Sequence, residues 1–148
     1  MKIAVGSDHG GFALKEAVKK HLEAKGIEVE DFGCYSTDSV DYAVYGAKVA
    51  HCVADGKADY GVLVCSTGIG ISIAANKVKG IRAALCSDTH AAEMTRRHNN
   101  ANILCLGGLV TEEKTALEIV DTFLKFDFEG GRHQRRIDQI ADIENGRL

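Results

Sequence analysis

The octapeptide Cys65-Ser66-Thr67-Gly68-Ile69-Gly70-Ile71-Ser72 holds the residues best suited to chemistry in this chain. It follows Gly61-Val62-Leu63-Val64, an apolar run that reads as a buried parallel strand, and precedes Ile73-Ala74-Ala75-Asn76-Lys77, which reads as a helix. A thiol at the carboxyl end of a strand therefore adjoins a glycine-rich turn and a helix N-terminus. Unpaired backbone N–H groups and the helix dipole suit such a turn to an anion, a phosphate or an enediolate oxygen. The same field favours a thiolate over a thiol, making the cysteine usable as a base or nucleophile. A second pair, Asp8-His9, follows the first strand; it could shuttle protons or grip a phosphate, while Asp8 could also cap the next helix.

Two better-known phosphate motifs are approached and missed. Gly68-Ile69-Gly70, with Asp88 some way on, starts like a dinucleotide fingerprint, but Ile73 occupies the third glycine position. Gly6-Ser7-Asp8-His9-Gly10-Gly11 has the glycine spacing of a P-loop, but Phe12 stands where the lysine belongs. A dinucleotide-dependent oxidoreductase and a nucleoside triphosphatase are both disfavoured. No cluster of His, Asp, Glu or Cys has metal-ligand spacing, so neither a metal nor another cofactor is expected.

The elements that must position these groups alternate along the chain. Strand signals lie at Lys2–Gly6, Glu28–Phe32, Gly61–Cys65, Ile81–Cys86 and Ile103–Leu106. Helical stripes lie between them: Leu14, Ala17, Val18 and Leu22; Val49, Ala50 and Val53; and Ala116, Ile119, Val120 and Phe123, with Thr111 as a candidate N-cap. Strands apolar on both faces and separated by helices predict an α/β fold, a Rossmann-like three-layer sandwich around a five-stranded parallel sheet. Such folds bind ligands beyond the carboxyl ends of the strands, where Asp8-His9 and the Cys65 turn both fall. After Gly130-Gly131 an extra C-terminal helix carries Ile137, Ile140 and Ala141 on one stripe. Arg132 and Arg136, one turn apart, are spaced to clamp a phosphate or to form a solvated basic face.

Composition narrows the function classes. The 148 residues suit one domain, and a net charge of −3 argues against nucleic acid or an anionic membrane as partner. No apolar run is long enough to span a bilayer and the start lacks a leader pattern, so a soluble, cytoplasmic protein is expected. Five widely spaced cysteines without a C-x-x-C read as reduced; Cys34, Cys52, Cys86 and Cys105 read as small buried hydrophobes.

Six blocks in order carry a family resemblance: Ser7-Asp8-His9-Gly10-Gly11-Phe12, Asp41-Tyr42, Cys65 to Lys77, Gly80-Ile81-Arg82-Ala83, His98 to Asn102, and Glu129 to Gln134. Over its whole length the chain resembles the type B ribose-5-phosphate isomerases, of the ribose/galactose phosphate isomerase family. The resemblance implies metal-free aldose–ketose isomerisation by a homodimer or tetramer whose sites are shared between subunits, with the arm at about 130–148 packing on a partner. It implies that Cys65 is the base working through a cis-enediolate, and that Ser66, Gly68, Ile69 and Gly70 belong to the anion hole. Thr67 and His98 match ring-opening residues, the histidine reaching the partner's site. Asp8 matches a sugar-hydroxyl ligand, Asn99 lies in the same pocket, and Tyr42 lines it. His9, Arg132 and Arg136 match the phosphate contacts.

The chain departs from the pattern in three places. Ser66 stands where glycine is usual, Ala43 where proline is common, and Leu109 where many ribose-type members carry arginine. The Gly-Gly-Arg-His block favours the pentose enzyme over the galactose 6-phosphate subunits. Ribose 5-phosphate and ribulose 5-phosphate are the expected pair, with allose 6-phosphate, galactose 6-phosphate or a tetrulose 4-phosphate as alternatives. A non-catalytic sugar-phosphate sensor is a further alternative, although it would have no use for Cys65, Thr67 and His98 together.

Overall fold

The computed structural model describes all 148 residues. Five strands, β1 (Lys2–Ser7), β2 (Glu28–Asp31), β3 (Tyr60–Cys65), β4 (Ala83–Leu85) and β5 (Ile103–Gly107), form one sheet in the order β2-β1-β3-β5-β4. Every pairing is parallel. Helices α1 (Phe12–Ala24), α2 (Tyr42–Ala54), α3 (Ile69–Ala75), α4 (Thr89–Asn99) and α5 (Glu113–Lys125) connect or follow the strands, and α6 (Arg132–Glu144) ends the fold. No helix is long and apolar enough to cross a membrane.

The period-two geometry of a strand explains why β1, β3 and β5 are apolar throughout. Ile3, Val5, Val62, Val64, Leu104 and Leu106 face one way, onto Leu14, Val18 and Leu22 of α1 and Ala116, Ile119, Val120 and Phe123 of α5. Their neighbours Ala4, Leu63, Cys65, Ile103 and Cys105 face the other way, onto Val49, Ala50 and Val53 of α2 and Ile71 and Ala75 of α3. The expected three-layer sandwich with a five-stranded parallel sheet is what forms. All five cysteines are free and buried.

Two local expectations shift. Helix α3 starts at Ile69, four residues before the predicted Ile73, because Gly68 adopts φ +80° and turns the chain into the helix at once. Glu112, rather than Thr111, occupies the N-cap position of α5, with extended backbone and no side-chain cap bond.

The topology places a crevice. From β1 the chain moves outward to β2, whereas from β3 it crosses toward β4, so the loops after β1 and β3 part in opposite directions. Ligands of open parallel sheets bind at such a switch point. Asp8 and Cys65 stand at its two sides.

Candidate active site

Asp8 directly follows β1 and is nearly fully buried. Its Oδ1 accepts the Gly11 N–H at 3.1 Å, capping the short 3-10 turn His9–Gly11, so the capping expectation holds. His9 follows; its Nδ1 accepts the Val40 N–H at 3.1 Å, which leaves the ring proton of the neutral imidazole on Nε2. Glycine at position 10 lets this loop lie against the Ser66 hydroxyl, which a Cβ there would meet.

Cys65 ends β3 and pairs with Gly107 of β5. Beyond it the chain is pinned from the β5 side: Gly108 N–H donates to the Cys65 carbonyl at 2.8 Å and Leu109 N–H to the Ser66 carbonyl at 3.0 Å. Inside this clamp the Gly68 N–H donates to Cys65 Sγ at 3.1 Å. Thr67 Oγ1 accepts the Ile69 N–H at 3.2 Å. The N–H groups of Ser66, Thr67 and Gly70 have no acceptor within the chain. Three donors beside one sulfur form a concave positive surface that an oxyanion fits. Tyr42, the first residue of α2, lays its ring against Gly70, where an added Cβ would come within 2.7 Å of it.

The other expected site residues lie elsewhere. His98 and Asn99 end α4, which runs back to the amino edge of the sheet before β5 begins. Gly61 at the start of β3 donates to Asn102 O at 3.0 Å, so this end of the chain is level with the beginning of the strand. Cys65 is four residues further on, about 13 Å along the strand. The Asn99 and Asn100 carbonyls accept from Arg82 Nε at 2.9 and 3.3 Å, which holds the end of α4 in place.

Helix α6 packs on that end. Gly130 and Gly131 take φ values of +69° and +57° and turn the chain into it. Its inward side buries His133 and Ile137, and Glu144 Oε1 accepts the Gly80 N–H at 3.0 Å. Arg132 and Arg136 are both exposed. The ion pairs here run from Arg97, His98 and His133 to Glu129 and from Arg147 to Asp142, leaving Arg132 and Arg136 free for an anion. A cleft of about 420 Å³ lies between α6 and the edge strand, lined by Arg82, Asn99, Ile140, Ile143 and Glu144 among others.

Two functional candidates escaped the sequence. Glu129 and His133 lie inside a quoted block, but nothing local marks them. The fold joins them to His98: the two imidazole rings stack with centroids 4.1 Å apart and planes 9° from parallel. The ligand-type atoms of the three lie within 4.8 Å of one another, a cluster the spacing did not predict. It is not arranged as a chelate. Each imidazole donates in its own plane, parallel planes share no point, and Arg97 already holds Glu129 at 2.6 Å.

The Cys65 turn is open: none of the clefts is lined by Cys65, Asp8 or His9. Around this edge Tyr42, Val44, Ile69, Ile73, Leu109 and Val110 are exposed, Leu109 at 74%.

Comparison with known proteins adds four likenesses. A family described as Ribose/Galactose Isomerase matches residues 3–140. Ribose-5-phosphate isomerase B of Escherichia coli is 48% identical over 99% of this chain and 98% of its own length. Among solved structures, ribose-5-phosphate isomerase B of Clostridium thermocellum superposes with TM-score 0.98 at 52% identity over both full lengths. The Mycoplasma genitalium enzyme with bound ribulose-5-phosphate superposes with TM-score 0.93 at 44% identity, covering 97% of this chain and 96% of that one.

Proposed function

The chain belongs to the ribose/galactose isomerase family and is a sugar-phosphate isomerase; we propose that it interconverts ribose 5-phosphate and ribulose 5-phosphate with Cys65 as the base. The carrying observation is the turn after β3, where a thiol and three acceptor-free N–H groups share one point at the sheet's carboxyl edge.

The C2 proton of a hydroxy aldehyde is weakly acidic, so the developing enediolate oxygen must be stabilised. The N–H groups of Ser66, Thr67 and Gly70 supply fixed donors for it; losing one such donor costs on the order of 10²–10³ in rate. Cys65, acting as the thiolate, takes the proton from C2, carries it as a neutral thiol while the enediolate exists, and returns it to C1, with the Gly68 N–H donating to the same sulfur. Asp8 binds a sugar hydroxyl, and His9 contacts the phosphate. A phosphate grip far from the reacting carbons supplies binding energy and orientation.

His98, Asn99, Arg132 and Arg136 complete this site only from a second copy. Their own Cys65 lies at the far end of the sheet, and the turn that needs them is open and apolar-rimmed. This supports a homodimer with shared sites, in which His98 and Thr67 open the sugar ring and Tyr42 lines the pocket. The arm at about 130–148 then packs on the partner as well as on its own α4.

The test is turnover of ribose 5-phosphate by the purified protein, beside allose 6-phosphate, galactose 6-phosphate and a tetrulose 4-phosphate. Fastest turnover is expected on the pentose; a faster alternative would mean that Leu109, in place of the common arginine, has re-aimed the pocket. Cys65→Ala should abolish turnover and keep binding, and retained turnover refutes the base. Mixing inactive Cys65→Ala and His98→Ala proteins should restore activity after subunit exchange. No recovery despite proven exchange refutes the shared site.

A further inference from the structure

The stacked pair His98–His133 poses a chemical question. Nε2 of His133 is the one buried side-chain nitrogen or oxygen without a hydrogen-bond partner. Its ring is 7% exposed, while that of His98 is 36% exposed. The Glu129 carboxylate stands between them, Oε1 3.9 Å from His98 Nε2 and Oε2 3.8 Å from His133 Nε2. Arg97 fixes that carboxylate at 2.6 Å, and its other arm holds Glu93 at 2.6 Å. The Glu129 N–H donates to the Arg97 carbonyl at 3.0 Å, so the loop before α6 is tied to α4 by backbone as well.

From this arrangement we propose that His133 and Glu129 are positioning residues for His98, the stacked ring setting its plane and the carboxylate setting where its proton resides. The inference rests on the ring-opening role given to His98 above. Two imidazolium rings cannot lie face to face at this separation without strong repulsion, so the pair takes up at most one proton. Burial, then the charge of His98 and of Arg132, holds His133 below the usual imidazole range. The Arg97 hydrogen bond keeps Glu129 ionised well into acid. The charged and titratable groups facing the pair are thus Glu129 from the loop, Arg97 and Glu93 behind it on α4, and Arg132 and Arg136 on α6. Glu129 is the carboxylate within 4 Å of both rings, and the buried His133 resists a proton, so a proton taken up by the pair goes to the more exposed His98. A group that opens a sugar ring must both accept and donate one proton, and this geometry assigns that exchange to His98.

The test uses the full-length protein with three variants. His133→Ala removes the stack and should lower kcat about tenfold or more with KM within about twofold, because a tilted base loses alignment. His133→Phe keeps a stacking ring and should retain most of kcat. Glu129→Gln should shift the alkaline limb of the kcat profile to lower pH, since the carboxylate no longer favours the protonated pair. Titration of the His98 ring by NMR in the unliganded protein should move in the same direction in Glu129→Gln, with no catalysis involved. Unchanged kcat, pH profile and His98 titration in His133→Ala and Glu129→Gln, with only a lower melting temperature, overturn the positioning role. His98→Ala in the same assay reports separately on the functional reading: full activity there refutes the role of His98, whatever the titration shows.

Discussion

Gly68→Ala probes the centre of the proposed site. Gly68 holds φ +80°, which costs an alanine roughly 1–2 kcal/mol in backbone energy alone. A Cβ there would also stand 2.5 Å from Leu85 Cδ1 and 2.9 Å from the carbonyl carbon and oxygen of Leu106. The Leu85 side chain can rotate away. The Leu106 carbonyl cannot, since β5 lies between β3 and β4 and is hydrogen-bonded on both sides. The turn itself must therefore move by several tenths of an ångström, and the 3.1 Å bond from Gly68 N–H to Cys65 Sγ lengthens. Gly26→Ala is the control: it has φ +77° with nothing within 4 Å, and so carries the backbone cost without the contact. Urea unfolding should show Gly26→Ala destabilised by about 1 kcal/mol, after the entropy gained by restricting the unfolded chain. Gly68→Ala should lose at least about 1 kcal/mol more. In an isomerase assay it should fall on the order of 10²-fold in kcat, as a displaced anion-hole donor does, while Gly26→Ala stays within twofold. Equal destabilisation of the two variants with normal kcat in both would refute the argument from close approach.

Two further outcomes concern the core. Lys15 is fully buried and holds both carboxylate oxygens of Asp31 at 2.8 Å, and Asp31 in turn accepts the Gly33 N–H at 2.8 Å. Lys15→Met should cost about 3–5 kcal/mol in urea unfolding by leaving a mostly buried carboxylate with the Gly33 N–H and only the longer Lys19 contact for its charge; a loss below about 1 kcal/mol would mean that the pair is solvated. Burial, helped by Asp88, pushes the Cys86 thiol up to about 11, and burial pushes Cys105 higher still. Both should be far slower to react with iodoacetamide at pH 8 in the native protein than in denaturant, as read by mass spectrometry, and equal labelling in both states would overturn their placement.

The layered architecture was legible because its signals are local. Period-two apolar strands such as Val62-Leu63-Val64 bury both faces, which dictates helices on each side of a parallel sheet. The Cys65 turn was legible for the same reason, as strand, glycine turn and helix follow one another within a dozen residues. Its first helical residue was not, because a single positive φ at Gly68 moved the start by a turn.

Other features belong to the tertiary structure alone. The resemblance implies that His98 reaches a partner's site, and the end of α4 does lie at the opposite edge of the sheet from its own Cys65. That separation turns a list of matching residues into an argument for a second subunit. The stack of His98 on His133, the reach of Arg97 to Glu129 and the ring of Tyr42 on Gly70 join residues 28 to 35 positions apart. Periodicity along a chain reports which face of an element seeks apolar company. It carries no information on which side chains meet once two faces pack, because those meetings depend on helix crossings and loop lengths summed over the whole fold. The sequence by itself thus determined the sheet, its helices and one reactive turn, while only packing decided that the turn stands open and that its expected histidine faces away from it.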